Sequence, residues 1–249
     1  GNIGAELAAR AAPDGYTIFG GSNTILAANP SLFKSLPYQP ARDFVPVGRL
    51  ITASLTLVVR PDFPAQNLRE FVSYVKSKKG SLNAGYASAG MQVSLAELRN
   101  LAGVDFLDVS YKGAPQAVTD LLGGQIQFAF ADTGNAVSQM NGGRMRGLGV
   151  TTKKRAGKAP NVPPIGDTVN GYNVSAWFGL MAPAGMPADV QKKATATLMA
   201  VLAKPEVREK IQGVGIDLDV EDSATLAKTI DAEIKKWGGW VKTAGITPE

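Results

Sequence analysis

Two segments of the sequence are rich in small polar residues of the kind that bind anions through hydrogen bonds. Residues 20–24 read Gly-Gly-Ser-Asn-Thr, and residues 87–90 read Ala-Ser-Ala-Gly. Each follows a predicted strand and precedes a predicted helix, where unpaired N–H groups and the positive end of the helix dipole face a ligand. Glycine allows close approach to the backbone, and hydroxyl groups donate hydrogen bonds without adding charge. This composition suits a carboxylate, and the candidate ligand-binding residues are Gly21, Ser22, Asn23, Thr24, Ser88, Ala89 and Gly90.

An alternative interpretation is that both segments are ordinary turns in which Ser or Asn caps a helix, since capping favours the same residues. The first segment lacks the glycine spacing of a dinucleotide-binding fingerprint or a P-loop. Nucleotide binding is therefore not expected.

Four further side chains are candidates for ligand contact. Lys112 could offer a positive charge to an anionic ligand, although such a lysine is more often simply solvated. Tyr111 could form one wall of the binding site. Asp132 follows another predicted strand, where its carboxylate could bind a ligand amine and would repel a dicarboxylate; capping of the next helix is the preferred role. Trp177 could form the floor of a cleft, but packing between lobes is preferred.

The composition excludes several classes of function. The chain has 249 residues with no histidine and no cysteine, which removes a Ser-His-Asp triad, thiolate nucleophiles and the commonest metal ligands. No catalytic residue, metal or cofactor is expected, and the protein is not predicted to be an enzyme. A net charge of +5 gives a mild preference for anionic ligands and is too small to indicate a nucleic-acid partner.

The order of helical and extended patterns predicts an α/β protein with mostly parallel sheets. The N-terminal residues predict a helix over 5–12 and a strand over 16–20, and after residue 187 the pattern is almost wholly helical. Apolar strands near residues 55–59 and 174–182 are interpreted as two crossings between lobes. Lobe 1 would then comprise residues 1–58 and 176–249, and lobe 2 residues 59–175.

Taken together, a series of short motifs resembles the tripartite tricarboxylate transporter substrate-binding family, also called the Bug receptors. The order of the motifs, more than any single one, makes the resemblance specific, and it spans essentially the whole chain. The matching segments are residues 1–6 (Gly-Asn-Ile-Gly-Ala-Glu), 12–17 (Ala-Pro-Asp-Gly-Tyr-Thr), 87–90 (Ala-Ser-Ala-Gly), 111–113 (Tyr-Lys-Gly), 120–125 (Asp-Leu-Leu-Gly-Gly-Gln), 144–151 (Arg-Met-Arg-Gly-Leu-Gly-Val-Thr) and 182–187 (Ala-Pro-Ala-Gly-Met-Pro).

The resemblance implies a type II periplasmic-binding-protein fold, with two α/β lobes and a ligand cleft between them. It further implies a periplasmic receptor that captures a small organic carboxylate and delivers it to the membrane subunits of a transporter. By resemblance, residues 22–24 and 88–90 lie on the ligand loops of lobes 1 and 2. The sequence as given begins after the N-terminal strand and Gly-rich loop of the family and shows no signal peptide.

Several alternatives remain open at this stage. The ligand could be a di- or tricarboxylate, an aromatic acid or an acidic amino acid, and the receptor could serve sensing in place of uptake. The two-lobe architecture would also suit the effector domain of a transcription regulator. An enzyme that uses Asp132 with Lys112 is a weaker alternative, because nothing in the sequence pairs them.

Overall fold

The computed structural model describes residues 1–213 and 216–248 and divides the chain into two compact units. Unit 1 comprises Gly1–Thr52 and Ala176–Glu249, and unit 2 comprises Ala53–Ser175. The sequence predicted that the first segment of lobe 1 ends at residue 58, whereas the first segment of unit 1 ends at Thr52. The reason is that the strand over residues 55–59 pairs only with strands of unit 2.

Unit 1 is built on a four-stranded sheet. Its strands are β1 (Phe19–Ser22), β2 (Phe44–Ala53), β8 (Ala176–Pro183) and β9 (Asp217–Asp222), in the order β1-β8-β2-β9. Its helices are α1 (Asn2–Ala9), a π-helical turn (Thr24–Ala28) that continues into α2 (Asn29–Leu32), α3 (Pro40–Asp43), α8 (Ala188–Ala203), α9 (Pro205–Gly213) and α10 (Ser223–Thr243). The pairs β1–β8 and β2–β9 are antiparallel.

The core of unit 1 lies between its sheet, α1 and α10. Trp177 from β8 packs there with Leu226 and Ile230 of α10 and with Ala5 and Ala8 of α1. Alanine at the α1 positions allows the helix to approach the sheet closely. The face of α1 with Ala5 and Ala8 and the apolar face of α10 are therefore buried against the sheet, whereas Ile3 and Leu7 of α1 are exposed.

Unit 2 is built on a five-stranded mixed sheet. Its strands are β3 (Leu55–Val59), β4 (Asn83–Tyr86), β5 (Leu107–Ser110), β6 (Phe128–Asp132) and β7 (Arg146–Val150), in the order β5-β4-β6-β3-β7. Its helices are α4 (Leu68–Ser77), α5 (Ala89–Ala102), α6 (Ala114–Leu122), α7 (Thr133–Asn141) and a 3-10 turn (Ile165–Asp167). β4 is parallel to β5 and β6, whereas β3 is antiparallel to β6 and β7.

The structure corrects several predictions about secondary structure. The prediction of mostly parallel sheets is wrong, because β3 runs against both of its neighbours and the pairs β1–β8 and β2–β9 of unit 1 are antiparallel. The almost wholly helical C-terminal part contains β9, whose acidic residues alternate with apolar ones. β1 begins at Phe19, and Tyr16, predicted to start a buried strand, is 95% exposed. α1 ends at Ala9 rather than residue 12.

The described helices include none that is both long enough and apolar enough to cross a membrane.

Tyr111 ties the segment after β5 to helix α6. Its phenol donates a hydrogen bond to a carboxylate oxygen of Asp120 over 2.8 Å. Burial, together with this hydrogen bond, raises the pKa of Tyr111 to about 12, because both favour the neutral phenol. The hydrogen bond fixes the chain immediately before the start of α6.

We expect Tyr111→Phe to lower the free energy of unfolding by about 1 kcal/mol near neutral pH, since one hydrogen bond is lost. The pKa of Tyr111 is higher in the folded protein than its ordinary value of 10.0, so its stabilising effect is present below pH 10 and is lost as the pH rises toward 12. Urea denaturation of both proteins from neutral to alkaline pH measures this. A difference that does not change across that interval would contradict the assignment.

Leu121 and Leu107 provide a matched test of the unit 2 core. Leu121 of α6 is 0% exposed, whereas Leu107 of β5 is 61% exposed. We expect Leu121→Ala to destabilise the protein by about 2–5 kcal/mol, because it leaves a cavity, and Leu107→Ala to have a far smaller effect. Urea denaturation compares the two variants, and equal losses would show that the packing of α6 is wrongly described.

Candidate functional site

The parallel strands of unit 2 bring three helix N-termini to one edge of the sheet. β4, β5 and β6 end at Tyr86, Ser110 and Asp132, and α5, α6 and α7 begin within a few residues of those ends. Each helix start presents unpaired N–H groups and the positive end of its dipole. We call this edge, with the segments 87–90, 111–114 and 132–134, the carboxyl edge of unit 2.

Ser88 lies at the N-cap of α5. Its backbone is extended (φ −155°, ψ 160°), and its hydroxyl oxygen accepts a hydrogen bond from the N–H of Met91 over 3.3 Å. Ser88 therefore caps α5, as the alternative interpretation predicted. Capping uses the hydroxyl oxygen only as an acceptor, so the hydroxyl proton can still be donated to a ligand. Ser88 is exposed, and Ala89 and Gly90 form the first turn of α5 beside it.

The start of α6 offers backbone donors beside a positive charge. Gly113 occupies the N-cap, and no side chain caps the helix. Lys112, directly before it, is exposed, as expected for a solvated lysine. Tyr111 is bound to Asp120, so its phenol proton is already engaged.

Asp132 does not cap α7, although it occupies the N-cap position. Its side chain accepts no hydrogen bond from the first turn of the helix, and the residue is exposed. The preferred capping role is therefore wrong. The carboxylate instead stands at the carboxyl edge, where it can accept hydrogen bonds from a ligand and repel a second negative charge.

A buried group of hydroxyls, which the sequence analysis missed, holds the start of α7. Thr133 Oγ1 donates to the carbonyl oxygen of Ser54 over 2.8 Å and lies 2.7 Å from Ser54 Oγ and 3.0 Å from Thr56 Oγ1. Because Thr133 has one hydroxyl proton, the hydroxyls of Ser54 and Thr56 must donate to it. Two residues in the sequence could have indicated this group: Thr56, within the otherwise apolar strand β3, and Thr133, directly after β6.

The candidates of unit 1 do not form a loop. Gly21 and Ser22 belong to β1, and Thr24, which is exposed, begins the π-helical turn. A Cβ atom at Gly21 would lie 2.7 Å from Leu26 Cδ1, so this glycine serves packing. Asn23 is buried, and its Oδ1 accepts a hydrogen bond from the N–H of Trp177 over 3.4 Å.

Trp177 is part of the unit 1 core and does not face a ligand. Its side chain is 1% exposed, and its indole N–H donates to Glu233 Oε2 of α10 over 3.0 Å. The prediction that Trp177 binds the ligand is therefore corrected. The preferred packing role describes it better, although its observed partners are residues of unit 1 itself.

The described residues contain no group of three or more His, Cys, Asp or Glu side chains arranged to hold a metal ion.

Comparisons with known proteins place the chain in a family. The family model described as the tripartite tricarboxylate transporter family receptor matches residues 1–246. A UPF0065 protein in the tcbD-tcbE intergenic region of a Pseudomonas species is 32% identical over 241 residues, which cover 95% of this chain and 71% of that protein.

Two solved structures resemble the fold over most of the chain. The R. palustris protein Rpa4515 with adipate is 28% identical with a TM-score of 0.78, and the match covers 100% of this chain and 84% of the other. MatC (Rpa3494) from Rhodopseudomonas palustris with bound malate is 30% identical with a TM-score of 0.68, and the match covers 96% and 84%. These similarities confirm the predicted type II periplasmic-binding-protein fold.

The match over nearly the whole chain also confirms the predicted resemblance, and this protein belongs to the tripartite tricarboxylate transporter receptor family, whose members are periplasmic solute-binding proteins.

Proposed function

We propose that this receptor binds a small organic carboxylate in the periplasm and delivers it to the membrane subunits of a tripartite tricarboxylate-type transporter. The observation that carries the proposal is the carboxyl edge of unit 2, where the starts of α5, α6 and α7 lie together in a chain of this receptor family. Adipate and malate, both carboxylates, are bound in the two similar structures. Their shared chemistry supports the ligand class.

The carboxylate would be held mainly by neutral donors. Ser88 retains a hydroxyl proton, the first turn of α5 offers backbone N–H groups beside it, and the start of α6 has no side-chain cap. Hydrogen bonds to an anion are roughly twice as strong as those between neutral groups. Exposed Lys112 adds a weaker, screened attraction. Such a site binds the anion without a fixed ion pair, which suits a receptor that must release its ligand.

We further propose that the ligand is bound and released without chemical change. The candidate pair for catalysis, Asp132 with Lys112, is not among the ion pairs of the described residues, and both side chains are exposed. Incubation of the protein with the bound carboxylate, followed by mass spectrometry, tests this. A ligand recovered intact is the expected result, and a converted product would contradict the proposal.

Two substitutions at Ser88 separate charge from helix capping. Asp and Asn are of similar size and are both good N-cap residues, so Ser88→Asp and Ser88→Asn should keep α5 intact. We expect Ser88→Asp to weaken carboxylate binding at least about tenfold relative to Ser88→Asn, because two negative charges about 4 Å apart repel by about 1–4 kcal/mol.

Thermal unfolding with a panel of mono-, di- and tricarboxylates, aromatic acids and amino acids measures the effect. A ligand at about 100 times its Kd stabilises the folded state by about 2.7 kcal/mol, so binding is readily seen. Unfolding of the two variants without ligand serves as the control for folding. Equal ligand-induced shifts in both variants would contradict the proposed position of the carboxylate.

A further inference from the structure

A groove runs between α6 and α7 on one face of the unit 2 sheet. It has a volume of about 290 Å³, near the lower end of the range for small-molecule sites. Its walls are mostly apolar and include Ala114 and Val118 of α6, Ala131 of β6 and Ala136 of α7. Because Ala114 and Asp132 line it, the groove begins at the carboxyl edge, where we place the ligand's carboxylate.

The deeper part of the groove contains a hydrogen-bond acceptor without a partner. Gln139 lines the groove from α7, and its Oε1 is buried and accepts no hydrogen bond from any described residue. Buried polar groups are nearly always paired, since an unpaired one has lost its hydrogen bonds to water without replacement. A ligand that carries a donor would supply the missing partner.

The groove is also lined by the polar residues Asp132, Asn135 and Ser138, of which only Asp132, at the mouth, carries a charge. Asp132 is exposed and accepts no capping hydrogen bond from α7. Its negative charge disfavours a ligand with two carboxylates more than a ligand with one. An ammonium group deep in the groove would be poorly solvated beside a neutral amide, so a neutral donor fits Gln139 best.

We infer that this groove selects the far end of the ligand, and that it prefers a carboxylate whose apolar body ends in a neutral hydroxyl or amide group. Gln139 lies six residues beyond the start of α7, which is about 9 Å along the helix axis. A chain of about six carbons or one substituted aromatic ring has a suitable length. This inference rests on the proposed carboxylate binding at the carboxyl edge. It adds the chemical nature of the other end of the ligand.

Isothermal titration calorimetry with three acids of equal chain length tests the preference. The probes are hexanoate, adipate and 6-hydroxyhexanoate, with 3-phenylpropanoate and 3-(4-hydroxyphenyl)propanoate as an aromatic pair. We expect each hydroxy acid to bind about three- to tenfold more tightly than its parent acid, the gain of one hydrogen bond. Adipate should bind more weakly than 6-hydroxyhexanoate.

Two variants assign the preference to its residues. Gln139→Leu should abolish the advantage of the hydroxy acids without lowering the unfolding temperature of the free protein, because the buried Oε1 without a partner is replaced by an apolar group of similar size. Asp132→Asn should strengthen the binding of all these acids, and that of adipate more than that of hexanoate, because adipate carries two negative charges and hexanoate one. Gln116→Leu, the same substitution at an exposed position of α6 outside the groove, is the control and should retain the full preference.

The outcomes separate this inference from the proposed function. If the parent acids and adipate bind but the hydroxyl adds nothing, or if Gln139→Leu and Gln116→Leu behave alike, the groove inference is wrong and carboxylate binding stands. If none of the acids binds, nor any other carboxylate of the thermal-unfolding panel, the proposed function fails and the groove inference with it.

Discussion

The parallel pairing of β4 with β5 and β6 is the constraint on which the candidate site depends. Parallel strands must all end at the same edge, and each of these three is followed by a helix, so three helix N-termini are brought to that edge by the direction of the strands. The antiparallel strand β3 then fixes one of these starts, because Ser54 and Thr56 bind the hydroxyl of Thr133. The site is thus a consequence of topology more than of individual side chains.

This arrangement explains how a chain without histidine can bind an anion selectively. Backbone N–H groups and hydroxyls are fixed by the fold, need no change in protonation and lose little entropy on binding. Specificity can then come from the neighbouring groove, whose acceptors Asp132 and Gln139 oppose a second carboxylate. In the proposed account, affinity for the shared carboxylate and choice of the remaining part of the ligand are carried by different residues of unit 2.

The sequence predicted the strand over residues 55–59 and the strands that end before residues 87–90 and 132, because short apolar runs bounded by Gly or small polar residues are a strong signal. Ser88 could be identified from the sequence because the residue types that cap a helix are also those that bind anions, and Ser88 does cap α5. Strand direction was predicted wrongly, because β3 has the continuous apolar pattern that is typical of a buried parallel strand. Trp177 and Asp132 were misjudged because burial and side-chain partners depend on tertiary packing, which local patterns do not encode. The groove beside Gln139 lies between α6 and α7, and the sequence of neither helix alone predicts it.

The most direct test of the account is a titration of the isotopically labelled protein with a carboxylate, followed by backbone amide NMR. Binding at the carboxyl edge predicts that the largest shifts fall on the N–H groups in the first turns of α5, α6 and α7, especially at Ala89, Gly90, Ala114 and Gly134. Saturable shifts that leave all three helix starts unchanged while other parts of unit 2 respond would contradict the central claim.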